Sequence, residues 1–326
     1  MMVPSTQQQL IVVDRLKKYF PVKTGLLQRT NGHVKAVDDV SFVINKGDTF
    51  GLVGESGSGK STLGRTLLRL SDKTDGTVQY QGQDLHELSK SDMRRLRPKL
   101  QFIFQDPYSS LNPRIRIGDA IGEALIQHGL CSQEEVAERV AEVLALCGMS
   151  SYHMDRYPHE FSGGQRQRIG IARAIILNPD FVVADEPLSA LDVSIQAQII
   201  NLFRKLQEQR SLTYLFISHD LSVVQHLCNR VGVMYLGSLV ELGPRDECFS
   251  RPLHPYTQAL LSAVPIPDPR AKRERIVLQG DPPSPVNPPA GCKFHTRCPL
   301  AQSRCREETP LLRHHGYGHY AACHLI

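Results

Sequence analysis

The chain has 326 residues, of which 41% are hydrophobic and 22% charged, a composition typical of a soluble protein with room for one large core or two unequal ones. A formal net charge of +5 permits a basic patch but does not require a nucleic-acid partner, and we expect none. No apolar run approaches the roughly 18 residues that a membrane-spanning helix needs, and the first twenty residues lack the apolar core of a signal peptide. These features predict a cytosolic protein.

Residues 10 to 242 alternate short β-branched runs with longer amphipathic stretches, which predicts an α/β fold with a mixed or largely parallel sheet. The strand candidates are, in chain order, TFGLVG, LQFIFQ, FVVAD, TYLFIS and VGVMYL. Between residues 106 and 162 the strand pattern disappears and apolar residues recur at helical spacing. We therefore expect a helical subdomain over about residues 106–178.

The composition shifts toward proline after residue 252, where GDPPSPVNPPAGC is too rich in proline for helices or inner strands. We therefore predict one domain over residues 1–251 and a small cysteine-rich C-terminal region over residues 252–326.

The segment GLVGESGSGKST places a glycine-rich loop between a predicted strand and a predicted helix. Gly54, four further residues and then Gly59, Lys60 and Ser61 form the P-loop pattern. Glycines let backbone N–H groups point inward, Lys60 reaches the terminal phosphates, and the Ser61 hydroxyl binds Mg²⁺. We expect nucleotide phosphates to bind the following residues: Gly54, Glu55, Ser56, Gly57, Ser58, Gly59, Lys60, Ser61 and Thr62.

The segment FVVADEP is an apolar strand that ends in two carboxylates. Strands often end in acidic residues with no chemical role, so this pattern alone is ambiguous. Next to a P-loop, however, Asp185 is a candidate ligand of Mg²⁺ and Glu186 a candidate to polarise the attacking water. The two motifs together predict a nucleotide hydrolysis site.

The segment FSGGQRQRIGIARAI begins a helix with a serine and two glycines, which makes a second anion-binding helix start. One nucleotide needs only one P-loop, so this second start makes sense if it closes on the nucleotide of a partner subunit. Here the chain resembles the ABC ATPases over about residues 10–243. Ser162, Gly163, Gly164 and Gln165 match their signature motif, with Phe161 where the family more often has leucine.

The resemblance implies roles for further residues. Phe20 falls at the aromatic that stacks on adenine, although Tyr19 could take that role; Gln105 matches the Q-loop, which reaches Mg²⁺ and the water. Asp192 matches the loop that crosses the dimer interface, and His219 the histidine that contacts the γ-phosphate. A histidine after a strand is more often structural, but this one follows the carboxylates at the distance that the family requires. The implied cofactors are ATP and Mg²⁺.

Three stretches narrow the resemblance to the ATPases of dipeptide and oligopeptide importers: QDPYSSLNPRIRIGDAIGEAL, RYPHEFSGGQRQR, and HPYTQALLSAVP with the GDPPSPVNPPAGCKFHTRC that comes after it. This implies a heterodimer with a homologous second ATPase, two transmembrane permeases and an extracytoplasmic peptide-binding protein, at the cytoplasmic face of the inner membrane. An importer of nickel, glutathione or another small solute remains open, because the ATPase does not touch the cargo. A soluble ABC ATPase without a membrane partner is a further alternative.

The eight cysteines fall into two groups of four. The first group is scattered through the body, and we expect its members to be small buried hydrophobic residues: Cys131, Cys147, Cys228 and Cys248. The second lies in the last tenth of the chain: Cys292, Cys298, Cys305 and Cys323.

The second group is spaced by five, six and seventeen residues and has no C-x-x-C pair of the kind that usually holds structural zinc. Irregular spacing suits a [4Fe–4S] cluster at least as well, and the resemblance to peptide importers with this tail favours the cluster. Zinc and unligated thiols remain alternatives. Nearby histidines could replace a cysteine as ligand: His295, His314, His315, His319 and His324.

Overall fold

The computed structural model describes residues 8–24, 29–106, 108, 110–265 and 275–326. The chain divides by its internal contacts into unit 1, residues Met1–His86 and Ile217–Ile326, and unit 2, residues Glu87–Phe216. Within the described ranges, no helix combines the length and the apolar composition needed to span a bilayer.

Twelve strands and ten helices lie in the described part of the chain. The strands are β1 Gln9–Thr24, β2 Arg29–Asn45, β3 Thr49–Val53, β4 Asp75–Tyr80, β5 Gln83–Asp84, β6 Leu100–Ile103, β7 Phe181–Asp185, β8 Thr213–Ser218, β9 Arg230–Tyr235, β10 Ser238–Pro244, β11 Arg313–His314 and β12 Tyr320–Ala321. The helices are α1 Lys60–Leu67, α2 Lys90–Leu96, α3 Ile117–Gln127, α4 Gln133–Leu146, α5 Gly163–Ile175, α6 Val193–Arg210, α7 Leu221–Leu227, α8 Arg245–Ser250, α9 Pro255–Ser262 and α10 Ser303–Glu307.

Unit 1 contains an antiparallel sheet in the order β2-β1-β4-β5 and a second run of strands in the order β11-β12-β10-β9-β3. In the second run β3 and β9 are parallel, whereas β10 is antiparallel to both β9 and β12. Glu241 on β10 pairs with Ala321 on β12, so the end of the chain adds strands to the sheet that carries β3. This sheet places the loop after β3 close to C-terminal residues.

Unit 2 contains the neighbouring strands β8, β7 and β6, with β6 and β7 parallel, and the helices α2 to α6. All five residues of β7 are buried, as expected for an inner strand of a parallel sheet, which reads as one continuous apolar run. Such a strand ends at the sheet edge where polar side chains of a site are usually found. Residues 217 and 218 of β8 already belong to unit 1.

The five strand candidates are confirmed as β3, β6, β7, β8 and β9, and the α/β fold class is confirmed. Described residues between 106 and 162 form helices and no strand, as predicted. The sequence patterns did not predict the long antiparallel pair β1 and β2. Cys147, Cys228 and Cys248 are buried as expected, but the prediction for Cys131 is wrong, because it lies half-exposed in the turn before α4. The boundary between residues 251 and 252 and the helical subdomain limits of 106 and 178 remain predictions.

Candidate active site

The P-loop (residues 54–62) connects β3 to α1 and has three glycines with positive φ, namely Gly54 at 152°, Gly57 at 78° and Gly59 at 103°. A Cβ atom at Gly59 would lie 1.9 Å from the carbonyl oxygen of Ala36, and one at Gly54 would lie 2.2 Å from that of Met234. The glycines are therefore required both for the backbone conformation and for the close approach of neighbouring strands.

Lys60 lies at the centre of the P-loop and is only 4% exposed. Its Nζ donates hydrogen bonds of 2.8 Å to the carbonyl oxygens of Gly54 and Glu55, and it lies 3.4 Å from Ser58 Oγ. A buried ammonium surrounded by backbone groups is the arrangement that a phosphate-binding loop provides for an anion. Ser61 follows in the first turn of α1 and is half-buried.

Glu55 joins the P-loop to C-terminal residues that the sequence motifs did not indicate. Its backbone N–H donates to Tyr256 Oη at 2.8 Å, and its carboxylate accepts two hydrogen bonds from Arg297, at 2.7 and 3.1 Å. Neither partner belongs to a nucleotide-binding motif, so nothing in the local sequence pointed to them. The contacts place residues 256 and 297 beside the candidate phosphate site.

The two carboxylates occupy different environments at the end of β7. Asp185 is buried, with 1% of its surface exposed, whereas Glu186 is half-buried and has a φ of 45°. A left-handed backbone at a non-glycine residue costs free energy and is often found in active sites. The structure brings Gln105 to this residue, because Gln105 Nε2 donates to Glu186 Oε2 at 3.1 Å. Gln105 and Glu186 thus form a polar pair within unit 2, and Asp185 precedes Glu186 in the chain.

The signature segment (residues 162–165) begins α5 with a capping box. Gln165 N–H donates to Ser162 Oγ at 3.4 Å, and Ser162 N–H donates to Gln165 Oε1 at 3.0 Å. A Cβ atom at Gly164 would lie 2.5 Å from Ile195 Cγ2 on α6. Gly164 is thus needed for packing, in addition to its predicted role at the anion-binding helix start. The same contact brings the signature segment close to Asp192, the residue that precedes α6.

His219 is exposed in the turn between β8 and α7, next to Asp220, whose side chain caps α7 by accepting from Ser222 N–H. His219 and the P-loop belong to unit 1. Gln105, Asp185 and Glu186, like the signature segment and Asp192, belong to unit 2.

The two aromatic candidates for stacking on adenine differ in their surroundings. Tyr19 donates its hydroxyl proton to Asp38, and burial together with this hydrogen bond raises the pKa of Tyr19. Phe20 is 40% exposed, with Lys18 Nζ 4.7 Å from the centre of its ring. Only the Phe20 side chain is both exposed and without a polar group to satisfy, so it is the better suited of the two for stacking.

The four C-terminal cysteines are close neighbours. Burial raises the pKa of the Cys292 thiol to about 11, a value to which the sulfurs of Cys305, Cys323 and Cys298 also contribute. The segments that carry Cys292 and Cys305 are also joined directly, since Cys292 N–H donates to the carbonyl oxygen of Cys305 at 2.8 Å. The cysteines therefore converge although they are spread over 32 positions of sequence.

Three of the candidate histidine ligands have their ring nitrogens in other contacts. His295 Nδ1 lies 2.9 Å from the Cys292 carbonyl oxygen, and His324 Nε2 lies 2.8 Å from that of Glu308. His319 Nε2 is 2.7 Å from Glu241 Oε1 and 3.6 Å from Cys248 Sγ, all three side chains being buried. Two atoms that share a zinc ion lie more than about 3 Å apart, so the Glu241 contact is a hydrogen bond.

Comparison with known proteins places these observations in a family. Residues 37–189 match the family described as ABC transporter, and residues 240–305 match the one described as Oligopeptide/dipeptide transporter, C-terminal region. The oligopeptide transport ATP-binding protein AppF of Bacillus subtilis is 55% identical over 327 residues, covering 99% of both chains. A putative peptide import ATP-binding protein of Brucella ovis, BOV_A0347, is 51% identical over 318 residues, covering 98% of both.

A solved structure also resembles the chain: the dimeric ATP-binding cassette MJ0796 in a post-hydrolysis state with ADP and Pi, at a TM-score of 0.65 and 28% identity. The match covers 72% of this chain and 99% of that one. The fold and the P-loop together therefore define an ABC ATPase, an enzyme that hydrolyses ATP. More narrowly, the chain belongs to the family of ATP-binding proteins of oligopeptide and dipeptide transporters, because relatives of that description match it along nearly its whole length.

Proposed function

We propose that this protein hydrolyses ATP to power the import of dipeptides or oligopeptides. The observation that carries the proposal is the presence, in one chain, of the ABC transporter match and of the oligopeptide/dipeptide transporter C-terminal region. Relatives described as peptide transport ATP-binding proteins share both parts. The alternative is an importer of nickel, glutathione or another small solute, because the ATPase does not touch the cargo.

The proposed assembly contains a homologous second ATPase, two transmembrane permeases and an extracytoplasmic peptide-binding protein. The dimeric form of the related cassette supports the pairing of two ATPases. ATP would be held between the P-loop of one subunit and the signature segment of the other. Closure and reopening of the pair would drive alternating access of the permeases at the cytoplasmic face of the membrane.

In the proposed reaction, Lys60 and the P-loop N–H groups bind the β- and γ-phosphates. The residues that would hold Mg²⁺ are Ser61, Gln105 and Asp185, and the ion supplies charge neutralisation at the phosphates. Glu186 orients the attacking water and accepts its proton, and its contact with Gln105 at 3.1 Å supports a shared role. His219 donates to the γ-phosphate as negative charge develops there.

The test of this assignment compares Glu186→Gln with Glu134→Gln, an exposed residue at the start of α4 that serves as the control. In the purified transporter complex, we expect Glu186→Gln to bind ATP like the wild type and to lose at least about 100-fold in turnover. The control should hydrolyse normally. Unchanged turnover in Glu186→Gln would contradict the assignment of the base.

The transported solute is identified by measuring the uptake of labelled solutes into cells. Cells that lack the gene should fail to accumulate a labelled dipeptide and should recover with the wild type but not with Glu186→Gln. Normal dipeptide uptake together with a loss of labelled nickel or glutathione uptake would support the alternative importers. A normal uptake of all three would favour an ATPase without a membrane partner.

We further propose that Cys292, Cys298, Cys305 and Cys323 hold a [4Fe–4S] cluster that stabilises the C-terminal region. What supports a shared ligand is the proximity of the four thiols, since the sulfurs of Cys305, Cys323 and Cys298 all act on the pKa of the Cys292 thiol. The spacing of the cysteines in the sequence, which has no C-x-x-C pair, suits a cluster at least as well as zinc. The four thiolates would supply the four iron ligands.

Iron, zinc and acid-labile sulfide should be measured after anaerobic purification. We expect about four irons and four sulfides per chain, lost in Cys298→Ser and retained in the control Cys131→Ser. About one zinc per chain, or no metal, would contradict the cluster and leave the ATPase assignment intact.

A further inference from the structure

The P-loop contains an acidic side chain at a position where negative charge is unfavourable. Glu55 directly follows Gly54 in the loop that we propose binds the phosphates of ATP, and 27% of its side chain is exposed. A carboxylate beside a polyphosphate repels it, and the repulsion is strong where solvent screening is incomplete. The loop therefore needs a cation to neutralise this charge.

Arg297 is that cation. Its Nη1 and Nη2 donate hydrogen bonds of 2.7 and 3.1 Å to the two carboxylate oxygens of Glu55, and only 8% of its side chain is exposed. Bidentate pairing of this kind is among the stronger hydrogen-bonded arrangements, because both partners are charged and the geometry is planar. The hydrogen bonds to Glu55 also raise the pKa of Arg297, so it stays charged.

Tyr256 on α9 fixes the backbone of the same residue. Its Oη accepts the N–H of Glu55 at 2.8 Å, and the tyrosine is fully buried. The side chain and the N–H of one P-loop residue are thus held by two residues of the C-terminal region, which limits how the loop can turn.

The segment that carries Arg297 is itself firmly anchored. Phe294 packs against Tyr235 and Tyr256 with ring centres 5.2 and 5.3 Å away. Lys293 Nζ donates to Asp38 Oδ2 at 2.8 Å and to Ser238 Oγ at 2.7 Å. Burial alone would raise the pKa of Asp38, but the hydrogen bonds from Lys293 and Tyr19 bring it below its ordinary value, so this carboxylate stays charged. Arg297 is therefore presented to the P-loop from a rigid support.

We propose that Arg297 is a positioning residue of the nucleotide site: it neutralises Glu55 and, with Tyr256, holds the P-loop in the shape that receives the phosphates of ATP. This inference rests on the proposed ATP site and adds a residue of the C-terminal region to it. It gives that region a direct effect on nucleotide affinity.

The test measures the equilibrium binding of ATP with Mg²⁺ to the full-length chain in four variants: Arg297→Met, Glu55→Gln, the double variant, and Arg304→Met as the control. Arg304 is matched to Arg297, because it also pairs with a glutamate, Glu308, at 2.8 Å in the same region, but its side chain is 55% exposed. Thermal melting of each variant checks that it is folded.

We expect Arg297→Met to raise the Kd for ATP by about tenfold or more, because it leaves the Glu55 charge unpaired beside the phosphates. The double variant should recover to within about threefold of the wild type, since the charge that caused the loss is gone. Glu55→Gln alone should bind about threefold more tightly, because Arg297 then acts on the phosphates unopposed. The control should bind like the wild type.

Equal loss in Arg297→Met and in the double variant would overturn the inference, because it would show that Arg297 acts only through the fold. If Arg297→Met does not fold, Glu55→Gln decides: weaker binding than the wild type would overturn the inference. A wild-type chain that does not bind ATP would contradict the proposed function instead. Equal Kd values for ATP in the wild type and in Arg297→Met would overturn the positioning role and leave the proposed function intact.

Discussion

His254 should make the stability of the protein depend on pH below neutrality. It precedes α9, where its Nδ1 accepts the N–H of Tyr256 at 3.1 Å, and only 1% of its surface is exposed. Burial lowers the pKa of His254 from 6.5 to about 4, although the nearby carboxylate of Glu241 acts in the opposite direction. The imidazole is therefore neutral in the folded protein at pH values where it is charged in the unfolded chain.

The sign and size of the effect come from the two pKa values. Between pH 6.5 and about pH 4 the unfolded chain binds a proton that the folded protein does not, so the free energy of unfolding falls as the pH falls. A difference of this size corresponds to about 3 kcal/mol between the ends of the window. Above pH 6.5 the residue makes no pH-dependent contribution.

The assay is urea denaturation followed by far-ultraviolet circular dichroism, since the chain contains no tryptophan. The wild type should lose about 3 kcal/mol more than His254→Asn between pH 7 and pH 4. Asparagine is chosen because it can also accept the hydrogen bond at the start of the helix but does not titrate. His33→Asn, at an exposed position on β2, is the control and should keep the wild-type pH dependence. Parallel pH profiles for the wild type and His254→Asn would refute this reasoning.

Two glycine pairs test the geometry of the candidate active site through thermal melting and ATP binding. Gly59→Ala places Cβ 1.9 Å from a backbone oxygen of β2, so it should lower the free energy of unfolding by at least about 3 kcal/mol and abolish ATP binding. Its control, Gly57→Ala, has nothing within 4 Å of the added Cβ and should lower the free energy of unfolding by only about 1 to 2 kcal/mol, through backbone strain. Gly164→Ala places Cβ 2.5 Å from Ile195 and should lower the free energy of unfolding by about 1 to 3 kcal/mol. Its control, Gly170→Ala, lies on the same helix with nothing within 4 Å of the added Cβ and should raise the free energy of unfolding by up to about 1 kcal/mol. Equal effects within either pair would contradict the steric argument.

Three of the predicted strands were recognisable in the sequence because they are short and wholly buried. All residues of β3, β7 and β8 are buried, so each appears as a continuous apolar run. The pair β1 and β2 lacks such a signal: its register shifts at several points, including between Val13 and Leu16, and each shift interrupts the two-residue period. The first five residues of β2, 29–33, are all exposed, so this part of the strand shows no alternation of buried and exposed side chains.

The candidate site was predictable where its residues lie in one continuous motif. The P-loop and the signature segment each place several functional groups within a few positions, so their spacing alone indicates a phosphate site. The partners of Glu55 are different, because Tyr256 and Arg297 lie 201 and 242 positions away. Arg297 directly precedes Cys298, but the spacing of the cysteines predicts a role only for the thiols and none for the arginine between them. Contacts of this range follow from the sheet, in which β9, β10 and β12 bring the end of the chain back to the loop after β3.

The 242 positions between Glu55 and Arg297 also separate these residues in time while the chain is synthesised. A ribosome releases the chain from its N-terminus at about 5 to 20 residues per second, so Glu55 emerges on the order of ten seconds or more before Arg297. During that interval the nascent P-loop carries an unneutralised carboxylate and lacks the tyrosine that holds its backbone. A chain that terminates before Arg297 would keep every nucleotide-binding motif. Under the proposed role of Arg297 it would still bind ATP weakly, and it would therefore pair poorly with a complete partner ATPase.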